Sequence, residues 1–566
     1  MAKINDKFVL NFSGGMRGDK SDFQKQSSDM VRIVNFDIDR QGKLTKRRGS
    51  HQLGDTISAD NLENTFYFQR IVGGAVPVPY FLVNTANSSA TIKLLVGSRS
   101  TGALTTASGT ITLDSVTGFT DTGDDDAEIE GDLFNYTGIS GSNLTGVTGL
   151  TSSHEANTAV HQWIALDAQV FDGRKGVYYA VLNNQIYIQE GDGSAFTWDG
   201  TTMAAVTGEP NARYATTFRQ RVYVTSYTST SSARVSFSDA GDPTTFTVGN
   251  NFDVEGERGE LITGQRDYND EFIIFKTNSF FAYDETTLKQ RNNLYGAYNH
   301  KVHQEINGLV YSFCPEGIFK TNGRTVEKIS RPVQEWIDGY RPIRETLSNT
   351  IVTNTFATVY DDKYMLYIDD VTVGGVAYTD VVLVYDTILG NWSIYTGLTN
   401  FQTLRGLNAF QYGGQIQNVQ ALFGGDDSGK FYRFFSKSYV DADANNRFTT
   451  TGDLFRDIVS DTGNVVSAEV ETKLYDLGSL DFKSVGYIRI LTENLGAHAS
   501  FKLEDKKGTS DWKSLGDVDQ VNKRFRVPTN TKGYRYAVKL SHSDSNAAPV
   551  INGLVFEDIE VKEDKR

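Results

Sequence analysis

Val177-Tyr-Tyr-Ala-Val-Leu-Asn-Asn-Gln-Ile-Tyr-Ile188, followed by Phe196-Thr-Trp-Asp-Gly200, is the stretch on which the reading of this chain turns. Two short runs rich in β-branched and aromatic residues flank Asn183-Asn184, and asparagine tolerates the positive φ that a two-residue hairpin turn needs. The unit therefore reads as strand, tight turn, strand, with a third strand ending in an Asp-Gly turn. Similar runs recur at Arg221-Val-Tyr-Val, Phe272-Ile-Ile-Phe, Lys363-Tyr-Met-Leu-Tyr-Ile and Val381-Val-Leu-Val-Tyr. Asn322-Gly323 and Gly374-Gly375 mark further hairpins. The one segment with a helical pattern is 332–348, where Pro332 suits a first turn and Val333, Trp336, Ile337 and Tyr340 share a face. The fold class is all-β.

Outward from that unit, two to four short strands and a Gly/Asp turn return roughly every 40–50 residues, the period of four-stranded propeller blades. The ends of aromatic strands keep the rhythm: Phe280-Phe-Ala-Tyr-Asp, Gly317-Ile-Phe-Lys-Thr-Asn-Gly, Tyr385-Asp-Thr-Ile-Leu-Gly-Asn-Trp and Gly429-Lys-Phe-Tyr-Arg-Phe. This predicts a β-propeller of roughly six blades, with a stack of β-sandwiches as the alternative. Residues 99–164 interrupt the rhythm with Thr/Gly/Ser-rich sequence and an acidic patch of Asp124, Asp125, Asp126, Glu128, Glu130 and Asp132. They are expected to form an inserted small β module with a core of Leu113, Phe119, Leu133, Phe134, Tyr136, Leu144 and Val147, its acidic loop in solvent. Clean alternation near the end, as in Ala468-Glu-Val-Glu-Thr-Lys-Leu and Tyr536-Ala-Val-Lys-Leu, predicts a C-terminal β-sandwich. The expected domains are 1–98 (an N-terminal assembly segment and the first propeller strands), 99–164 (the insert), 165–460 (the propeller) and 461–566 (the sandwich).

Composition excludes several classes. A chain of 566 residues has length for three or four domains, and 34 Phe with 28 Tyr is far more aromatic than a disordered chain. The net charge of −15 argues against a protein that grips nucleic acid by its phosphates. The single cysteine, Cys314, rules out disulfides within the chain and any cysteine-based zinc site. No apolar run approaches a membrane span, and Met1-Ala-Lys-Ile-Asn-Asp-Lys lacks a signal-peptide core, so a soluble protein made without secretion is expected.

Motifs that carry chemistry dissolve on inspection. Gly424-Gly-Asp-Asp-Ser-Gly-Lys430 has a phosphate-loop skeleton, but Phe431 stands where a magnesium-binding hydroxyl belongs and Asp426 and Asp427 would repel phosphates. It reads as a hairpin turn. Asp441-Ala-Asp-Ala-Asn-Asn446 begins like a calcium loop, yet Asn446 and Gly452 replace the required Gly and Glu, so a linker is expected. The acidic patch could bind calcium, although a solvated face is the simpler reading. His300 and His303 would face opposite sides of a strand and lack a third ligand. Ser236-Phe-Ser-Asp-Ala-Gly-Asp-Pro-Thr-Thr-Phe246 faintly matches the Asp-box turn of sialidase propellers, in one copy only. No nucleophile triad or carboxylate pair stands out, and no cofactor is expected.

Four matches carry a family resemblance. The opening comprises Phe12-Ser-Gly-Gly-Met-Arg-Gly-Asp19, Met30-Val-Arg-Ile-Val-Asn-Phe-Asp-Ile-Asp39 and Gly42-Lys-Leu-Thr-Lys-Arg-Arg-Gly49. It resembles the N-termini of the tail nozzle proteins of short-tailed bacteriophages, also called tail tubular protein B or phage stabilisation proteins. Ala233–Phe246 with Asn269–Tyr283, and Gly308–Arg324, look like that family's propeller strands in the family's order. The insert (Thr112–Phe119, Gly131–Gly138, Leu144–Gly149 and His154) resembles a small β module of phage tail proteins, with Gly149-Leu where Arg-Gly is commoner.

The resemblance implies a non-enzymatic structural virion protein forming the distal ring of a short tail. That ring would be a hexamer and a gated conduit for DNA ejection. Its implied partners are further copies of itself, the tail adaptor, tail fibres or tip proteins, and genomic DNA in transit, with the host surface as a further possibility. The implied location is the virion tail, after synthesis in the host cytoplasm. Lys43, Lys46, Arg47 and Arg48 form the densest basic cluster and are the candidate assembly contacts, with a nucleic-acid arm as the rival reading. Two other functions stay open: a receptor- or carbohydrate-binding tail protein, and a glycan-cleaving propeller enzyme.

Overall fold

The computed structural model describes the chain apart from residues 1–2, 10, 48, 53–55, 71–77, 122–124, 130–131, 192, 227–232, 255–260, 339, 341–354, 399–400, 408–409, 413–414, 418–420, 435–459, 462–463, 495, 530, 544–548 and 562–566. Strands dominate, as the turn chemistry requires. Among the described residues, seven antiparallel blades follow one another, against roughly six expected. Blade 1 consists of Leu62–Arg70, Val78–Thr85, Lys93–Arg99 and Ala159–Ala165. Blades 2 to 5 are four-stranded sheets that begin with Val177–Leu182, Ala212–Phe218, Ile262–Tyr268 and Gln304–Ile306. Blade 6 runs Phe356–Tyr360, Lys363–Tyr367, Val382–Asp386, Asn391–Tyr395. Blade 7 takes three strands, Phe401–Leu407, Ala421–Asp426 and Phe431–Phe434, from the far end of the propeller and its outer strand, Ser50–Gln52, from the N-terminal region. His51 lies opposite Arg433, so the ring is closed by strands from opposite ends of the sequence.

Local chemistry repeats from blade to blade although the sequence does not. The turn from first to second strand holds left-handed residues at Asn183-Asn184, Asn269-Asp270, Asn307-Gly308 and Asp361-Asp362, all with φ between 48° and 71°. The turn from third to fourth strand is capped by an Asx side chain. Asp199 accepts from the backbone N–H of Thr201 and Thr202 at 2.8 Å. Asp284, Asn322 and Asp386 do the same for the residues two and three further on. The phosphate-loop-like Gly424–Lys430 is a hairpin turn between the second and third strands of blade 7, with Asp426 accepting from Ser428 and Lys430 N–H.

These caps make the propeller acid-sensitive. Hydrogen bonds from Thr202 and Thr201 hold Asp199 down to about 2, and those of Thr286 and Thr287 hold Asp284 far below the usual carboxylate range. A depressed carboxylate contributes its stability in full above the unfolded value near about 4 and loses it as the pH falls through the folded value. The melting temperature is therefore expected to drop between pH 4 and pH 2. Asp284→Asn, which keeps the acceptor without titrating, should flatten that drop; an unchanged slope would remove Asp284 from the account.

The insert has a core of Leu104, Ile111, Leu113, Phe119, Ala127, Ile129, Phe134, Tyr136, Leu144, Val147 and Leu150, which continues onto Val160 and Val96 of blade 1. Its limits differ from 99–164. Ala159–Ala165 is the outer strand of blade 1, paired along its length with Lys93–Arg99, and the module's Asp125–Ile129 adds onto it. Leu133, expected in the core, is 40% exposed because its neighbours Asp132 and Phe134 take the inward positions of the strand. Since Arg99 lies directly opposite Ala159, a short Gly/Ser link between them is expected to give soluble protein with a cooperative melt. Aggregation instead would mean that the module supplies core to blade 1.

The C-terminal sandwich is not built from C-terminal residues alone. One sheet contains Ala468–Thr472, Arg535–His542, His498–Asp505 and Lys513–Asp517; it receives Asp29–Val34, whose Val34 also bridges to Ile394 of blade 6. The other contains Lys483–Thr492, Val550–Val561 and Arg524–Arg526 and receives Lys3–Ile4, Lys7–Val9, Phe36–Ile38 and Leu44–Lys46. Phe12, Met30, Ile33 and Phe36 join Trp336 and Trp392 of the propeller side and Val470, Ile488 and Phe556 of the sandwich in one core. Residues 1–49 are thus the seam between the two large units. The helical pattern at 332–348 yields a 3-10 turn, Arg331–Val333, and a single helical turn, Gln334–Ile337, which buries Trp336 and Ile337; residues 341–354 lie outside the described residues.

Candidate functional site

The first strands of the blades converge on a cavity of about 430 Å³ at the propeller's centre. Each strand contributes a few residues: Asn64 and Thr65 from blade 1, Tyr178–Val181 from blade 2, Ala215–Thr217 from blade 3, and Gln265–Asp267 from blade 4. The turn leading into blade 5 adds His300, Lys301 and His303, and its first strand Gln304; blade 6 adds Phe356 and Ala357, and blade 7 Thr403–Arg405. Side chains stitch blade to blade. Thr217 Oγ1 donates to Val181 O at 2.6 Å, Gln265 Nε2 to Tyr223 O at 2.9 Å, and Gln304 Nε2 to Ala357 O at 2.8 Å. Thr65 and Thr403 hydroxyls meet at 3.3 Å, and Lys301 is ion-paired to Glu63.

The two histidines differ from their sequence reading. They occupy a turn rather than a strand, and their rings meet edge to face with centroids 5.0 Å apart. His300 stacks on Tyr214 at 4.8 Å and its Nδ1 accepts from Gln265 N–H at 3.3 Å, which places any proton on Nε2. His303 stacks on Phe275 and is 4% exposed. Gly264 makes room for it, since a Cβ there would stand 2.6 Å from His303 Nε2. Burial first, then the nearby cations, pushes His300 down to about 3; burial likewise pushes His303 well below the ordinary value. Both are neutral at physiological pH.

Burial also lowers Arg266, to about 10, with Arg405 adding to the shift and Glu305 and Asp267 opposing it. Burial alone lowers Arg405. Both remain cations at neutral pH. Asp267 is raised by burial and by Glu305, and it is the only carboxylate lining the cavity among the described residues.

The other candidates are placed as follows. Lys43 is ion-paired with Glu493 at 2.6 Å on the surface of the sandwich. Lys46 is 2% exposed, with Nζ 3.0 Å from His542 Nδ1. Arg47 is 1% exposed; Nε donates to Asn35 Oδ1 at 2.7 Å, a terminal nitrogen donates to Thr396 O at 2.9 Å, and the guanidinium lies over the Tyr395 ring. Arg48 lies outside the described residues. The expectation that this cluster faces a neighbouring subunit is corrected for Lys46 and Arg47, whose cations are consumed inside the chain by the seam they hold together.

In the acidic patch, Glu128 and Asp132 are buried rather than solvated. Glu128 is 2.9 Å from His161 Nδ1, while Asp132 accepts from Thr151 and Ser152 and lies 3.1 Å from His154 Nε2. The calcium-loop-like 441–452 lies outside the described residues. Asp239 in the sialidase-like segment accepts from Thr247 and Asn250 and shapes a turn of blade 3. Burial pushes the Cys314 thiol up to about 11, which takes it out of thiolate chemistry.

No family model matches the chain, and no curated protein matches it. Similar solved structures include the computationally designed Ika8 protein, at 10% identity over 68% of this chain and 99% of that one, TM-score 0.33. YCF48 bound to a D1 peptide is 8% identical over 69% and 95%, TM-score 0.32. BamB from Moraxella catarrhalis is 12% identical over 58% and 99%, TM-score 0.29. The fold assignment rests on the chain's own sheets: a seven-bladed propeller with an inserted β module and a sandwich sewn to it by the N-terminal strands.

Proposed function

We propose that this chain is a structural protein of a short bacteriophage tail, forming a ring at its distal end through which DNA leaves. The observation that carries the reading is the ordered set of nozzle-like segments at 12–49, 233–283 and 308–324. Three physical features support it. A conduit works best when it repels its cargo, and the net charge is −15. One of the family-like segments, 12–49, is the one that joins propeller to sandwich, so the two platforms are held in a fixed relation. Glycoside cleavage commonly uses two carboxylates, whereas the central cavity is lined by Asp267 alone among the described residues.

In this reading the protein contacts copies of itself in a hexameric ring through heterologous interfaces, the adaptor above it and fibres or tip proteins around it. DNA is a passenger, and the host surface is met only from the tail tip. The inserted module, standing on the outer edge of blade 1, is the projecting element suited to fibre or neighbour contacts. Negative-stain images of the purified chain, alone and mixed with tails lacking it, are expected to show rings with a central hole or tails capped at the tip. Particles that stay single in both preparations would refute the reading. A receptor-binding role predicts instead that single chains retain host surface glycan.

A further inference from the structure

We propose that the cavity at the centre of the propeller binds a small, multiply charged oxyanion, a phosphate or polycarboxylate, held by the guanidinium groups of Arg266 and Arg405. This is independent of the tail reading. In an acidic chain, the cavity wall carries Arg266, Lys301 and Arg405 against one carboxylate, Asp267, among the described residues. Lys301 is already satisfied by Glu63. Arg266 makes a long ion pair with Glu305, at 3.8 Å, and Asp267 is exposed.

Arg405 has no ion-pair partner among the described residues, and the Nε of both arginines is buried without a hydrogen-bond partner. Like charges brought together out of water destabilise each other unless a counter-charge joins them. The two guanidinium groups come from blades 4 and 7, and the charge of Arg405 weighs against that of Arg266. An oxyanion between them would accept forked hydrogen bonds from both, the geometry that guanidinium favours. The neutral His303, with both ring nitrogens unpartnered and 4% exposed, adds a donor or acceptor without altering the charge. A volume of about 430 Å³ admits phosphate or a tricarboxylate but not a folded protein segment.

The test is equilibrium dialysis of the full chain against labelled inorganic phosphate and, separately, labelled citrate at constant ionic strength. One anion is expected per chain, with Kd of about a millimolar or tighter. Retention of phosphate alone assigns a phosphate site, retention of citrate alone a carboxylate site, and mutual competition one shared oxyanion site. Arg405→Met should melt no lower than wild type in chloride, because it removes a half-buried cation that has no ion-pair partner among the described residues, yet bind the anion at least about tenfold more weakly. Arg266→Met should weaken binding similarly, and serves if the first variant fails to fold. Wild-type protein that retains neither anion at about 10 mM overturns the proposal, as does a folded arginine variant with unchanged affinity.

Discussion

Asn35→Ala is expected to cost about 4 kcal/mol, a large share of any domain's stability. Asn35 is 2% exposed and sits at φ 56°, a conformation that alanine resists. Its carboxamide oxygen accepts from Arg47 Nε at 2.7 Å and Thr396 N–H at 2.9 Å. Its nitrogen donates to Ser467 O at 2.6 Å and Thr396 Oγ1 at 3.1 Å. One side chain thus ties the N-terminal strands to blade 6 and to the start of the sandwich. Removing it leaves the buried Arg47 cation short of an acceptor, which costs more than a neutral hydrogen bond. Asn35→Gly relieves the backbone term and is expected to lose less than the alanine variant. Denaturant titration followed by fluorescence and by far-UV circular dichroism measures both. Equal losses for the two would mean that backbone conformation plays no part, and a loss under about 1 kcal/mol would mean that the seam is held elsewhere.

Deleting residues 1–52 is expected to abolish soluble expression altogether. The cut removes the outer strand of blade 7 and leaves Tyr432, Arg433 and Phe434 as a bare sheet edge. It also strips Phe12, Met16, Met30, Ile33, Phe36 and Leu44, each at most 1% exposed, from the shared core. At about 1.5–3 kcal/mol for each fully buried apolar side chain, the loss is of the same order as the whole stability of a domain. Fractionating expressed protein into soluble and insoluble pools measures this. A soluble truncated chain with a cooperative melt would show that propeller and sandwich stand without their seam.

The same seam marks where sequence reasoning stops. Hairpins such as Asn183-Asn184 and Asn322-Gly323 are legible because a turn needs only its own residues to choose φ. The class of fold follows from their spacing. Blade closure is not legible: the pairing of His51 with Arg433 joins segments whose local patterns say nothing about each other. The first strands of blade 1 also fall before the insert, so a count begun at residue 165 finds too few blades. Basic residues in a row read as a surface, and only the acceptors around Arg47, drawn from Asn35 and Thr396, reveal that it is interior. The central cavity was missed for a similar reason. Its residues come two to four at a time from seven blades, and Arg266 and Arg405 carry no shared motif; the sole hint is the His300/His303 spacing, which reads as strand.

The burial of Lys46 and Arg47 changes what their substitution means. Arg47→Ala is expected to fail in assembly by unfolding the seam rather than by losing a subunit contact, so assembly defects in that variant would not locate an interface. Location has to be read directly. The decisive measurement is a cryo-electron microscopy map of intact virions that contain this chain. The account predicts a closed ring of copies at the distal tip of the tail, each fitting a seven-bladed propeller with its attached sandwich, around an axial channel. Density for the chain on fibres alone, or its absence from the virion, would contradict it.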